Sequence, residues 1–109
     1  IKHYNNIFFI KIDVEGHELN VLKGSELILK NHKPIILCEI EQRHHSSDTT
    51  ITTIFNYMKN FNYCAYYYCS IKEVLMSADD IFMNQDINSV DYVFNYWFVH
   101  QAKLKFLPV

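Results

Sequence analysis

The apolar positions of this chain change period several times, and each change marks an element. Ile7 to Ile12 is an almost unbroken apolar run that ends in Asp13, Val14, Glu15 and Gly16. A short apolar run of this kind, bounded by glycine, predicts a strand buried on both faces. Beyond Gly16, Leu19, Leu22, Leu27 and Ile28 return at roughly helical intervals, so His17 to His32 predicts a helix. Gly24 and Ser25 interrupt it, which predicts two helical pieces meeting at a bend, the second capped by Ser25. Glu15 and Glu18 fall at its start and Lys30 and Lys33 at its end, as the helix dipole favours. Pro34 stops the helix, and a second apolar run, Ile35 to Ile40, opens there and also ends in acids, Glu39 and Glu41.

Strand, helix and strand in this order predict a right-handed parallel crossover unit. Ligands of open parallel sheets lie outside the carboxyl ends of the strands, and two successive strands here carry carboxylates at that end. After Glu41, residues Gln42 to Asp48 form a polar loop. Ile51, Ile54, Phe55, Met58 and Phe61 then give the clearest amphipathic helix of the chain. Tyr63 to Cys69 predicts a third strand, with Ile71 to Met76 either its continuation or a turn. Ser77 to Asp80 opens a short helix through Phe82 and Met83. Asp91 to His100 is the last strand. No helical crossover precedes it, so antiparallel pairing with its neighbour is expected. The tail, with Lys103, Lys105 and Pro108, is expected to be loose. The fold class is therefore α/β, a mainly parallel sheet ending in an antiparallel strand pair.

At 109 residues the chain is one domain by length, and 16% aromatic content speaks for a packed core. A formal charge of −2 supplies no basic field, so neither nucleic acid nor an anionic membrane surface is an expected partner. No apolar run approaches the ~20 residues that cross a bilayer. Cys38, Cys64 and Cys69 lie in strand-like segments and read as reduced thiols; with no leader segment visible, a cytoplasmic location is expected. Two glycines leave no GxGxxG or GxxxxGK[ST] loop for a nucleotide. The chain enters a strand almost at once, as though the first half of an α/β domain were missing.

The run Phe9-Ile-Lys-Ile-Asp-Val-Glu-Gly-His-Glu-Leu-Asn-Val-Leu-Lys-Gly24, followed by Lys33-Pro-Ile-Ile-Leu-Cys-Glu-Ile-Glu41, closely resembles the FkbM family of S-adenosylmethionine-dependent methyltransferases. Gln42-Arg43-His44, the aromatic third strand and the segment Tyr92 to Val99 also look like the end of that domain, so the resemblance spans about Ile7 to Val99. It implies the C-terminal half of a Rossmann-like methyltransferase fold. Residues 1–109 would be a single partial domain supplying the last four strands, without the donor-binding N-terminal part. The implied reaction is O-methylation of a small-molecule or glycan hydroxyl. The implied cofactor is S-adenosylmethionine, whose binding by this chain alone is not expected.

A hydroxyl acceptor needs a carboxylate or histidine to take its proton. Asp13, Glu15 and His17 are the candidate catalytic residues. Asp13 is also the candidate cofactor contact, because in such folds the residue ending this strand lies beside the donor's methionine portion. The other reading of these residues is structural, with Asp13 capping the helix and Glu15 and Glu18 complementing its dipole. Glu18, Glu41 and His44 are the candidate substrate-binding residues. Glu39 shares a strand face with Glu41 and is a candidate for holding a loop or pairing with Arg43. No metal site is expected, since adjacent His44 and His45 rarely ligate one ion and no HxH or HExxH spacing occurs. The tyrosines and Trp97 read as core and sheet-face packing before any stacking role. With earlier strands absent, Ile7–Val14 would be an exposed apolar edge, predicting a homo-oligomer formed through that strand; the alternative function is a catalytically silent oligomerisation or interaction module.

Overall fold

The computed structural model describes residues 6–45, 49–78 and 92–107. Strand β1 (Phe9–Ile12) leads into helices α1 (Glu18–Gly24) and α2 (Glu26–Asn31), and β2 (Ile35–Glu39) follows. A 3₁₀ turn (Gln42–His44) and α3 (Ile51–Lys59) come next, then β3 (Tyr63–Cys69), β4 (Val74–Ser77), β5 (Asn95–His100) and a second 3₁₀ segment, Gln101–Phe106. The five strands form one sheet in the order β1-β2-β5-β3-β4.

The expected crossover unit is present, with β1 parallel to β2 in the register Phe9↔Ile35 through Ile12↔Cys38. The expectation of a mainly parallel sheet is corrected: β2–β5, β5–β3 and β3–β4 are all antiparallel. The cause is the position of β5. The α3 crossover carries the chain past one strand width and brings β3 back in the direction of β2, and β5 fills the gap between them. Ile71–Met76 resolves as a hairpin: residues 70–73 turn and Val74–Ser77 pairs back on β3. Ser77 therefore ends a strand, and the rest of the predicted short helix, through Phe82 and Met83, lies outside the described residues. So does Asp91, the first residue of the predicted last strand.

The helical segment divides where Gly24 and Ser25 predicted, but Ser25 does not cap with its side chain. Its hydroxyl donates to the Val21 carbonyl at 2.8 Å. Helix α3 opens on a capping box in which Thr50 and Thr53 satisfy each other's backbone amides. All three helices bury their apolar stripe against the same side of the sheet. Leu22, Leu29, Ile54, Phe55 and Met58 join Ile12, Ile36, Cys38, Tyr96 and Phe98 in one cluster. Phe55 packs edge-on against Tyr96 and Phe98, with ring centroids 5.2 and 5.8 Å away.

The opposite side of the sheet carries the row Lys11–Leu37–Trp97–Tyr66 and is far less covered. For this reason β1 is not buried on both faces as its composition suggested. Only Ile10 and Ile12 turn toward the helices, while Phe9 stays 49% exposed at the edge of the described sheet. The described part of the tail is not loose either, and Pro108 lies outside the described residues. Residues Gln101–Phe106 are anchored by Lys103, whose ammonium donates to the carbonyls of His32 and Lys33 at 3.4 and 3.0 Å, where α2 ends.

Candidate functional site

Parallel pairing ends at Ile12↔Cys38, so the next residue of each strand, Asp13 and Glu39, is delivered to the same end of the sheet. The chain then reverses through Glu15 and Gly16, which hold positive φ values of 44° and 101°. Only the second of these is occupied by glycine, and there the backbone conformation requires it. The turn also presses Gly16 against the loop after β2. A Cβ placed on Gly16 would lie 2.5 Å from the His44 carbonyl oxygen. Asp13 and Glu15 remain exposed, and the expected alternation that would align them does not apply because β1 stops at Ile12. His17, not Asp13, is the N-cap of α1, and its exposed side chain makes no capping hydrogen bond.

Glu18 is placed differently from its neighbours. Its carboxylate is 1% exposed, with Oε2 accepting the Gly16 N–H at 2.7 Å and Oε1 lying 2.8 Å from Nε2 of His45. Both oxygens are used within the chain. His45, whose ring is 2% exposed, is a residue the sequence did not single out as a partner, since 27 positions separate it from Glu18.

Just past the β2 tip, Glu41 is 7% exposed and held from three sides. The Tyr92 hydroxyl donates to Oε1; Arg43 and Nδ1 of His44 lie 3.3 and 3.5 Å from Oε2. The Tyr92 hydrogen bond, with those of Arg43 next, holds the Glu41 carboxyl below the ordinary glutamate range despite its burial. Burial, and then the same contact, push the Tyr92 phenol up to about 12. Arg43 thus pairs with Glu41 rather than Glu39. Glu39 titrates the other way: burial raises it first, and Asp13, Glu41 and Glu15 add like charge, with Lys11 partly offsetting them. Cys38, buried behind these carboxylates, is pushed well above its ordinary range and is inert as a nucleophile.

Tyr92 belongs to two features at once. Besides holding Glu41 it lines a shallow pocket of about 210 Å³ with Tyr68, Val93, Phe94, Asn95 and Trp97. The aromatic residues therefore divide. Tyr63 and Tyr96 are core, whereas Tyr68, Tyr92 and Trp97 wall this pocket. Among the described residues no cluster of three or more histidine, cysteine or acidic side chains has metal-binding geometry. Nor is any helix long and apolar enough to cross a membrane.

The sign of the Glu41 shift gives a test. A depressed carboxylate adds stability at neutral pH that is lost as the pH falls through its folded value. Tyr92→Phe should cost ~1.5–3 kcal/mol near neutral pH, the range for a hydrogen bond to a charged group. Denaturant melts at several pH values should show the gap between wild type and variant narrowing once the pH drops below the ordinary glutamate range.

A family model described as the methyltransferase FkbM domain matches residues 1–65 of the 109-residue chain. The match takes in β1, both helices of the crossover, β2, α3 and the first residues of β3, and stops short of the Val99 limit expected from the sequence. No curated protein matches the chain, and no solved structure does. The adjacent tips of β1 and β2 lie within the matched residues, and the chain belongs to the FkbM methyltransferase domain family.

Proposed function

We propose that this chain forms the acceptor side of an S-adenosylmethionine-dependent O-methyltransferase, acting on a hydroxyl of a small molecule or glycan. The observation that carries the reading is the juxtaposition of the β1 and β2 tips, which sets Asp13 and Glu39 beside each other where an acceptor can enter. A hydroxyl loses its proton as its oxygen gains a methyl group. Glu39, more basic than an ordinary glutamate because of burial and its acidic neighbours, is suited to take that proton. In this reading exposed Asp13 orients the hydroxyl, and Glu15 and His17, also exposed, follow it on the same loop. Glu41 stays ionised and keeps Tyr92 in the pocket wall, with His44 behind it.

The family uses S-adenosylmethionine as methyl donor. The described residues do not make a cradle for it. Gly16 has its open side filled by the His44 carbonyl, and Gly24 ends α1 away from the strand tips. Calorimetry of S-adenosylmethionine with this chain alone should show weak or no binding. The function is tested by joining the chain to the donor-binding part of an FkbM domain and following labelled methyl groups into hydroxylated acceptors. Transfer to oxygen supports the reading; transfer only to nitrogen or carbon contradicts it.

Two further properties go with this reading. The outer edge of β1 carries Phe8 and Phe9, 44% and 49% exposed, and only Lys11 blunts it. Pairing with a second copy through this strand is expected, and light scattering at high concentration should show dimers or larger species. A clean monomer would contradict it. Cys38, Cys64 and Cys69 are thiols rather than disulfide partners, which supports a reducing compartment such as the cytoplasm.

A further inference from the structure

The loop that carries Asp13 and Glu15 and the loop that carries Glu41 approach each other at two points, the second of them buried. Gly16 meets the His44 carbonyl, and Glu18 meets His45. Glu18 is itself tied back to the first loop through the Gly16 N–H, so one carboxylate bridges both loops. On the cleft side the same loops present like charges to each other. Asp13, Glu41 and Glu15 lie near enough to add like charge to Glu39, which burial already raises, and Lys11 partly offsets them. Four carboxylates in one cleft repel, and nothing in β1–β2 pairing beyond Ile12↔Cys38 holds their loops together.

We propose that Glu18 and His45 are a positioning pair for the acceptor cleft: their buried contact clamps the two strand-tip loops and sets the spacing of Asp13 and Glu15 against Glu39. Neither residue touches the acceptor. The pair acts through the carboxylates it holds, and the inference rests on the reading of those carboxylates as the acceptor side. A clamp of this kind suits strand tips that gather negative charge, because its hydrogen bonds lie out of water, where they are strongest.

The test follows the titration of Glu39 by carboxylate NMR in wild type, His45→Ala and His45→Gln. In wild type Glu39 should titrate above ordinary glutamate. His45→Ala should let the loops part, and the Glu39 midpoint should fall toward the ordinary value. His45→Gln, whose amide can donate to Glu18, should restore most of the displacement, which loss of stability alone would not produce. A raised midpoint in wild type that stays put in folded His45→Ala overturns the positioning role and leaves the cleft intact. An ordinary midpoint in wild type overturns the cleft reading, and the clamp with it. Should His45→Ala not fold, hydrogen exchange of the wild-type Gly16 amide decides: slowing by 10²-fold or more is expected of an N–H bonded to a buried carboxylate, and exchange at the open-chain rate overturns the clamp.

Discussion

Gly16→Ala should destabilise the chain by about 3–4 kcal/mol, while Gly24→Ala should be neutral or stabilising by up to ~1 kcal/mol. The chain has only these two glycines, and they make a matched pair. At Gly16 the backbone holds φ at 101°, which costs an alanine ~1–3 kcal/mol, and the new methyl would sit 2.5 Å from a backbone oxygen. That oxygen belongs to His44, and it cannot move aside as a flexible side chain would. Relief requires the two loops to separate, adding an overpacking cost of ~1–3 kcal/mol. At Gly24 nothing lies within 4 Å of the added methyl and the backbone is helical, so alanine removes only unfolded-state freedom. Thermal melts should show Gly16→Ala falling by roughly 15–20 °C, at ~5 °C per kcal/mol for a domain this size. Equal melting points for the two variants would mean that the loops do not meet.

The second large effect is catalytic. If the chain joined to a donor-binding part acts as proposed, with Glu39 as the base, Glu39→Gln should lower kcat by ~10²–10⁴-fold, the usual contribution of a positioned base, equivalent to about 3–5 kcal/mol of barrier. Glutamine keeps the shape and removes the basic oxygen, so the fold and KM should change little. Glu39 is half-buried and its neighbours are acids, so neutralising it also removes repulsion from Asp13, Glu41 and Glu15. A variant that is at least as stable as wild type yet slow is the expected combination. Glu41→Gln should behave in the opposite way, losing stability through Tyr92 and Arg43. Activity retained in Glu39→Gln but lost in Asp13→Asn would transfer the base role to Asp13.

The parts of the fold legible in the sequence are those with local periodicity. Ile51, Ile54, Phe55 and Met58 announced α3, and all four are buried. The bend at Gly24–Ser25, the start of β2 after Pro34 and the limits of β3 were equally readable. Their signals come from residues within a few positions of each other, where backbone preference and hydrophobic spacing act. The insertion of β5 between β2 and β3 has no such signal, because Ile36↔Phe98 and Ala65↔Phe98 pair across long stretches of chain. The tail segment has no local signal for a related reason: its anchor is the Lys33 carbonyl after α2, which Lys103 reaches from 70 residues away.

The site divides along the same line. Asp13 and Glu41 could be placed at one end of the sheet from strand order alone, and they are. What each carboxylate does depends on partners distant in sequence. Glu41, by sequence a candidate substrate contact, is enclosed by Tyr92, 51 positions on, whereas Glu39, by sequence a candidate for holding a loop, is the one raised toward basicity. Glu18 looked like a cleft residue and is sealed beneath it by His45.

The central claim is that the tips of β1 and β2 share one cleft, and the titration of Glu39 with and without Asp13 tests it most directly. Carboxylate NMR on wild type and Asp13→Asn should find Glu39 above the ordinary glutamate range in the first and lower in the second. A Glu39 midpoint that is ordinary in wild type, or that does not respond when Asp13 loses its charge, would contradict the account.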